Sequence, residues 1–149
     1  MLAKNYFEQG QFEKAARIYE KLYQNNPHRL NYLTALVQTY QQLEDFEKAE
    51  AVLQDKLSGR RVFPQLYVDL GYNYALQSND SLAKKEYQKA IDAIEEEPNY
   101  GYIVARAFED YSLLDEAATV YERAMELQPD KNYNIQLANI YGEQGKLEA

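Results

Sequence analysis

The chain has 149 residues, 46% of them hydrophobic and 27% charged, and this composition predicts a folded soluble segment and excludes a low-complexity or disordered chain. Its formal net charge of −8 disfavours nucleic acid and anionic membranes as partners, because both attract a basic patch. No apolar run approaches the roughly 18 to 20 residues of a membrane span, so we expect no membrane insertion of this segment.

Aromatic and small residues recur along the chain at a nearly constant interval. The aromatic series steps by 34, 34, 34 and 33 residues: Tyr6, Tyr40, Tyr74, Phe108 and Tyr141. Two further series share the 34-residue step: Ala15, Ala49, Ala83 and Ala117, and, four residues behind them, Tyr19, Leu53, Tyr87 and Tyr121. A shared period of this length predicts a tandem repeat of one supersecondary unit.

The period divides the chain into units of about residues 1–29, 30–63, 64–97 and 98–130, followed by a partial unit of residues 131–149. Apolar residues within the units fall at helical spacing, which predicts two amphipathic helices in each complete unit. Short polar breaks at residues 9–11, 43–45, 77–80 and 143–145 separate the helices, and we expect Gly10 and Gly145 to adopt the left-handed conformation there. Prolines fall only between units, where a missing amide proton does little harm.

The units resemble the tetratricopeptide repeat, whose pattern is W-x2-L-G-x2-Y, then A-x3-F and a late P. The third unit matches best, with Tyr67-x2-Leu70-Gly71-x2-Tyr74 followed by Ala83-x3-Tyr87. The resemblance covers essentially the whole chain and implies an all-α fold, a right-handed alpha-alpha superhelix of antiparallel helix pairs in a single array of residues 1–149. Departures from the pattern occur at Asp80, Gly101 and Asn134.

The sequence of residues 74–77 and 134–142 also resembles that of uncharacterised repeat proteins of Bacteroidetes-type bacteria, which are often exported. That resemblance implies a location in the bacterial periplasm or cell envelope. Met1 enters partway through a first helix, and no polar capping element is visible before Ala149. We therefore expect a piece of a longer repeat protein, whose unfinished repeat ends leave self-association open.

The sequence contains few of the residues that catalytic and metal-binding sites use. Cysteine is absent and His28 is the only histidine, so the usual ligands of a zinc site and the usual nucleophile and base pairs are missing. We interpret His28, which follows Pro27, as a solvated connector residue, and the acidic run of residues 95–97 as a solvated helix end. We expect no enzyme activity, no catalytic residue, no cofactor and no metal.

In tetratricopeptide proteins, ligands commonly bind the concave groove made by the first helix of each pair, which implies a protein or peptide partner here. In that register the predicted partner-binding residues are Lys4, Gln38, Gln42, Tyr72, Tyr102, Arg106, Glu109 and Asn139. Three residues at the position of Tyr102 in the other units extend the surface: Thr34, Val68 and Ile135. Tyr72, Tyr102 and Arg106 form the predicted anchor cluster, because aromatic residues and arginine are enriched at binding hot spots.

Three functions remain open at this stage. The first is a protein–protein interaction scaffold that holds a peptide or partner protein in the groove. The second is a structural or assembly segment of a larger envelope protein, and the third is the non-catalytic arm of a multidomain enzyme. The carboxylate clamp of co-chaperone relatives is not reproduced, because Gln38 and Tyr72 separate Lys4 from Arg106 and Asn139 along the stripe.

Overall fold

The computed structural model of the protein describes residues 1–145, and every regular element in that range is helical. The α-helices are α1 (Leu2–Glu8), α2 (Phe12–Asn25), α3 (Leu30–Gln42), α4 (Phe46–Leu57), α5 (Gln65–Leu76), α6 (Asp80–Glu96), α7 (Gly101–Asp110), α8 (Leu114–Leu127) and α9 (Asn134–Glu143). A 3-10 turn, Pro98–Tyr100, leads into α7. The predicted all-α fold and its helix pairs are confirmed, while the last four residues of the predicted partial unit, ending at Ala149, lie outside the described range.

The chain forms two compact units. Unit 1 comprises Met1–Val62 and Asn73–Ser78, and unit 2 comprises Phe63–Tyr72 and the chain from Asn79 onward. The division falls within α5, so the first part of that helix belongs to unit 2 and its last turn belongs to unit 1. Each unit has buried apolar residues of its own, and we describe each unit separately.

In unit 1, α2 packs on both α1 and α3, and α3 packs on α4. Ala15 and Ala49, two members of the small-residue series, are fully buried, as a close approach of paired helices requires. A polar contact joins the end of α3 to the last turn of α5: the Gln41 amide donates to Asn73 Oδ1 at 3.3 Å, and the Asn73 amide donates to the Phe46 carbonyl at 3.0 Å. The wholly buried Asn73 side chain is thereby satisfied.

In unit 2, α7 and α8 pack extensively on each other around the fully buried side chains of Phe108 and Tyr121. Gly101 lies against Ala124 of α8, since a Cβ added to it would sit 2.7 Å from the Ala124 Cβ. The departure from the repeat pattern at Gly101 therefore has a steric reason, because the neighbouring helix leaves no room for a larger residue.

The helix-ending turns repeat one left-handed backbone position at the same interval as the side-chain series. The residues with positive φ are Gly10 (78°), Glu44 (56°), Ser78 (60°), Ser112 (58°) and Gly145 (69°). In the turn after α1, Gly10 N donates to Phe7 O at 3.0 Å and Gln11 N donates to Tyr6 O at 2.8 Å. That pair of bonds is the Schellman motif, which satisfies carbonyls that a helix end leaves free. The expectation for Gly10 and Gly145 is confirmed.

Ser112→Gly is expected to stabilise the protein by about 0.5–1 kcal/mol. The left-handed conformation costs an ordinary residue about 1–2 kcal/mol, and glycine's greater freedom in the unfolded chain offsets only part of that gain. Urea unfolding would measure the change. Lys84→Gly, at an exposed position inside α6, is the control and should cost up to about 1 kcal/mol. Equal losses at the two positions would contradict the left-handed assignment at Ser112.

Three tyrosines of the first-helix series donate hydrogen bonds to carboxylates on neighbouring helices. Tyr40 donates to Glu20 at 2.6 Å and Tyr74 donates to Glu50 at 2.6 Å, both within unit 1, while Tyr141 donates to Glu122 within unit 2. A partly buried phenol hydroxyl needs such a partner, and the repeat supplies it from the preceding second helix.

Candidate functional site

A pocket of about 310 Å³ lies in unit 1 between α1 and α3, the first helices of two successive pairs. Its lining residues are Lys4, Phe7, Glu8, Tyr19, Ala35 and Gln38. Because α1 and α3 both pack on α2, Tyr19 of α2 forms part of the wall between them. The structure therefore brings two of the predicted partner-binding residues, Lys4 and Gln38, into one pocket.

The chemistry of this pocket is an apolar wall with a polar rim. Phe7 is held by an edge contact with Phe12, whose ring centroid is 5.1 Å away. Burial raises the pKa of Tyr19, and the neighbouring Glu8 carboxylate raises it further, so the phenol stays protonated and available to donate a hydrogen bond. Lys4 offers an ammonium donor, and Gln38 offers both a donor and an acceptor. An apolar side chain with flanking backbone amides matches this arrangement.

The remaining predicted residues of unit 1 lie outside this pocket lining. Gln42 is exposed on the last turn of α3, one turn beyond Gln38, and Thr34 is half-buried near the start of the same helix. Both share α3 with the pocket residues Ala35 and Gln38.

A second group of predicted residues, which we name the α7 cluster, lies in unit 2. Its members are the predicted residues Tyr102, Arg106 and Glu109 together with their neighbours Tyr121 and Tyr133, which were not predicted to bind a partner. Tyr102 stacks on Tyr133, with ring centroids 6.2 Å apart and an interplanar angle of 19°, and the Tyr133 ring centroid lies 5.1 Å from that of Tyr121. Tyr121 donates to Glu109 Oε2 at 2.6 Å, and Arg106 Nη1 lies 3.5 Å from the same oxygen. The structure thus brings Tyr102, Arg106 and Glu109 together on one face of α7.

Burial and neighbouring charges in the α7 cluster keep the Tyr121 phenol protonated and Arg106 charged at neutral pH. Burial raises the pKa of the Tyr121 phenol, and its hydrogen bond to Glu109 raises it further. The Glu109 carboxylate also raises the pKa of Arg106. Arg106 is consequently charged, loosely paired and half-exposed, with Asp110 beside it on the exposed side of the helix.

Tyr72, the third residue of the predicted anchor cluster, belongs to a different contact. Its ring stacks on Tyr111 with centroids 4.1 Å apart and an interplanar angle of 19°. The Tyr111 hydroxyl in turn donates to the carboxylate of Asp69, which is 5% exposed. The contacts of the described residues therefore divide the predicted anchors into a pair, Tyr102 and Arg106, and a separately packed Tyr72.

Asp69 is a residue that sequence analysis missed. Burial raises its pKa to about 7; the hydrogen bond from Tyr111 lowers the pKa and the nearby Asp110 raises it. The available signal was the i, i+4 pair of polar residues, Asp69 and Asn73, in an otherwise apolar α5. Both side chains are buried in the structure, as parts of unit 2 and unit 1 respectively.

One predicted extension of the groove surface needs correction. Val68 is fully buried, in the same core cluster as Ile94 and Val104, because α5 contributes that position to the interior of unit 2. Ile135, at the equivalent position of α9, is by contrast 76% exposed, and Asn139 is exposed one turn later. The same repeat position is thus interior in one helix and surface in another.

Metal binding and membrane insertion find little support among the described residues. Within residues 1–145, no group of three or more His, Cys, Asp and Glu residues has an arrangement that could hold a metal ion. His28 is exposed in the turn after α2, where the sequence placed it. Of the helices described, not one combines the length and the apolarity that a bilayer crossing requires.

Comparison with known proteins identifies the repeat. Residues 6–56 match the family model of the tetratricopeptide repeat. No significant match is found among curated proteins.

Solved structures show the same fold. TTC0263, a thermophilic tetratricopeptide protein of Thermus thermophilus, aligns with 23% identity and a TM-score of 0.54, covering 93% of this chain and 77% of its own. MamA from Desulfovibrio magneticus RS-1, from residue 41 to its end, aligns with 16% identity and a TM-score of 0.52, covering 99% and 84%. Another MamA structure gives 20% identity, a TM-score of 0.50 and coverage of 98% and 80%.

At these identities the structural similarity shows the fold alone, an all-α helical repeat. The family match supplies the identity of the repeat over α1 to α4, and the 34-residue spacing continues through α9. Residues 6–56 are thus assigned to the tetratricopeptide repeat, and the described chain shares the fold of solved tetratricopeptide proteins.

Proposed function

We propose that this chain is a protein-interaction module that binds a segment of a partner protein on the faces of its first helices. The observation that carries the proposal is the pocket of about 310 Å³ between α1 and α3, in which Lys4 and Gln38 meet three apolar side chains. Tetratricopeptide repeats typically act as non-catalytic scaffolds, and a pocket on paired first helices suits that role.

Binding would proceed by insertion of one apolar side chain of the partner into the pocket. Contact with Phe7, Tyr19 and Ala35 removes that side chain from water, which stabilises the complex by about 1.5–3 kcal/mol. In this proposal, Gln38 bonds the partner backbone, and Lys4 donates to a carbonyl or carboxylate oxygen of the partner. Both helices are formed before binding, so little conformational entropy is lost by this chain. A single pocket gives modest affinity, and further contacts along the first helices would add to it.

A competing function is binding through the second helices. A smaller pocket of about 260 Å³ is lined by residues of α2, the end of α3 and the start of α4: Glu13, Ala16, Arg17, Glu20, Tyr40, Leu43, Asp45 and Lys48. Its rim is mostly charged, and two of its groups already bond each other, since Tyr40 donates to Glu20. A structural or assembly segment of a larger protein would use such a surface.

Selection of displayed random peptides against the whole chain would test the proposal. We expect the peptides enriched on the parent to lose about tenfold or more in affinity on Ala35→Leu, because the larger side chain fills the pocket. Arg17→Ala, in the α2–α4 pocket, is the control and should leave their affinity unchanged. Loss on Arg17→Ala with unchanged binding to Ala35→Leu would assign the function to the second helices. Failure to enrich any peptide on the parent would contradict peptide binding altogether.

A further inference from the structure

In unit 2, large apolar residues are exposed on α7 and α9, the first helices of the last two repeat units. On α7, Tyr102 is 48% exposed and Ile103 is 43% exposed, and on α9, Ile135 is 76% exposed. The stacking of Tyr102 on Tyr133, two residues before Ile135, brings the starts of α7 and α9 together. Isolated exposed apolar residues are ordinary, but several on adjoining helices indicate a contact surface.

The same side of unit 2 is rich in carboxylates. Glu109 and Asp110 lie at the end of α7, and Glu143 lies at the end of α9. Asp130 lies near Tyr133: burial raises the pKa of that phenol, and Tyr102 and Asp130 raise it further. Arg106 is the basic residue on this face of α7, and its guanidinium already lies beside the Glu109 carboxylate. On α7 and α9, acidic residues therefore outnumber basic ones by three to one.

Charge is unevenly divided between the two units. In sequence, unit 2 contains 16 acidic and 7 basic residues, a net charge of −9, whereas unit 1 contains 8 acidic and 9 basic residues, a net charge of +1. The acidic excess of the chain thus belongs entirely to unit 2. A partner that meets unit 2 is attracted if it is basic and repelled if it is acidic.

We propose that the exposed faces of α7 and α9 bind a partner segment in which lysine or arginine residues flank an aliphatic side chain. The aliphatic group covers Ile135 and the edge of Tyr102, while the cations meet Asp110 and Glu143 and lie against the tyrosine rings. An exposed cation on an aromatic ring contributes about 0.5–1 kcal/mol, and burial strengthens the contact. This inference extends the proposed function to unit 2 and names its partner chemistry, and it does not depend on the pocket of unit 1.

Two fluorescent probe peptides of equal length would test the inference on the whole chain. Both carry the same leucine residues, and they differ only in having lysine or glutamate at the flanking positions. Fluorescence anisotropy at low and at physiological salt is expected to show the lysine probe binding about tenfold tighter than the glutamate probe. The difference in affinity between the two probes should decrease as salt is added, because exposed charges are screened. Equal binding of the two probes would overturn the inference.

Variants separate this surface from a general attraction to an acidic protein. Asp110→Asn with Glu143→Gln removes two charges from the surface, and Ile135→Ser removes its most exposed apolar group. Each is expected to weaken the lysine probe by about three- to tenfold. Asp55→Asn with Glu47→Gln removes two exposed charges from unit 1 and is the matched control, expected to change the affinity less than about twofold. An equal loss in the control would assign the attraction to net charge and contradict a defined surface.

The pocket variant distinguishes the two proposals. If Ala35→Leu still binds the lysine probe while peptides selected on the parent also remain bound, only the proposed pocket of unit 1 fails. If the selected peptides are lost from Ala35→Leu but the lysine probe does not bind the parent, only the inference about unit 2 fails.

Discussion

Asp69→Asn is expected to raise the free energy of unfolding at about pH 8 by something on the order of 2–4 kcal/mol and to change it little near pH 4. The Asp69 carboxyl is almost wholly buried, and its pKa rises from 3.8 to about 7, with burial as the largest cause. Between pH 3.8 and about 7, the folded protein therefore keeps a proton on Asp69 that the unfolded chain releases. Stability contributed by neutral Asp69 is complete below about pH 4 and is lost as the pH rises toward 7.

Asparagine keeps an acceptor for the Tyr111 hydroxyl and cannot ionise, so the variant should lack this loss. Urea unfolding of parent and variant across the pH range would measure the difference. Asp55→Asn, at an exposed position of unit 1, is the control and should have a small effect at both pH values. Tyr111→Phe removes the donor and is expected to cost about 1–3 kcal/mol, more at pH 8 than at pH 4. A gain from Asp69→Asn that is equal at both pH values would contradict a buried ionisable carboxyl.

Gly71→Ala is expected to destabilise the protein by about 2–3 kcal/mol. A Cβ at this position would lie 2.4 Å from Tyr87 Cε1, 2.6 Å from Tyr87 Cδ1 and 3.1 Å from the Ala83 carbonyl oxygen. The Tyr87 ring is itself packed edge-on against Phe108, with centroids 5.6 Å apart, so it has little room to move away. Overpacking of this kind forces side chains out of their rotamers or shifts backbone.

A second substitution locates the cause of that loss. Tyr87→Leu withdraws the ring from the space above Gly71, so adding Gly71→Ala in that background is expected to cost less than about 1 kcal/mol. Thermal unfolding of the parent, both single variants and the double variant would complete the cycle. If Gly71→Ala costs as much without the Tyr87 ring as with it, the loss belongs to helix backbone effects and not to this contact.

The helices and the small residues in their core could be predicted, because both follow from the spacing of residues that are close in sequence. Apolar spacing within each unit fixes which face of a helix is buried, and the alanine series marks where two helices approach closely. Ala15, Ala49, Ala83 and Ala117 are all buried accordingly. The glycines of the turns were also predictable, because glycine alone adopts the left-handed conformation without cost.

Features that depend on distant neighbours were not predictable from one sequence. Glu44 and Ser112 adopt the left-handed conformation because the Schellman turn requires it at that register, although neither residue type favours it. Asp69 bonds Tyr111 across 42 positions of the chain, which no local pattern of α5 reveals. Val68 was wrongly placed on the surface for the same reason, since its burial depends on Ile94 and Val104 of other helices.

The predicted partner-binding residues lie in separate groups in the structure. Lys4 and Gln38 meet in a pocket because a shared repeat position on consecutive first helices keeps them side by side. Tyr102, Arg106 and Glu109 lie on one face of α7 because their spacing is that of a helix. Tyr72 matched the same stripe in sequence, but its ring packs on Tyr111, which a stripe of register positions does not describe.

Site-specific photo-cross-linking in the source cells tests most directly whether partners bind the first-helix faces. A photoreactive phenylalanine analogue would replace exposed residues of first helices, Gln38 and Asn139, or exposed residues of second helices, Gln54 and Thr119. The account predicts that mass spectrometry finds the same partner segment cross-linked from Gln38 or Asn139 and absent from Gln54 and Thr119. Cross-links to that partner from Gln54 and Thr119, with none from the first helices, would contradict it.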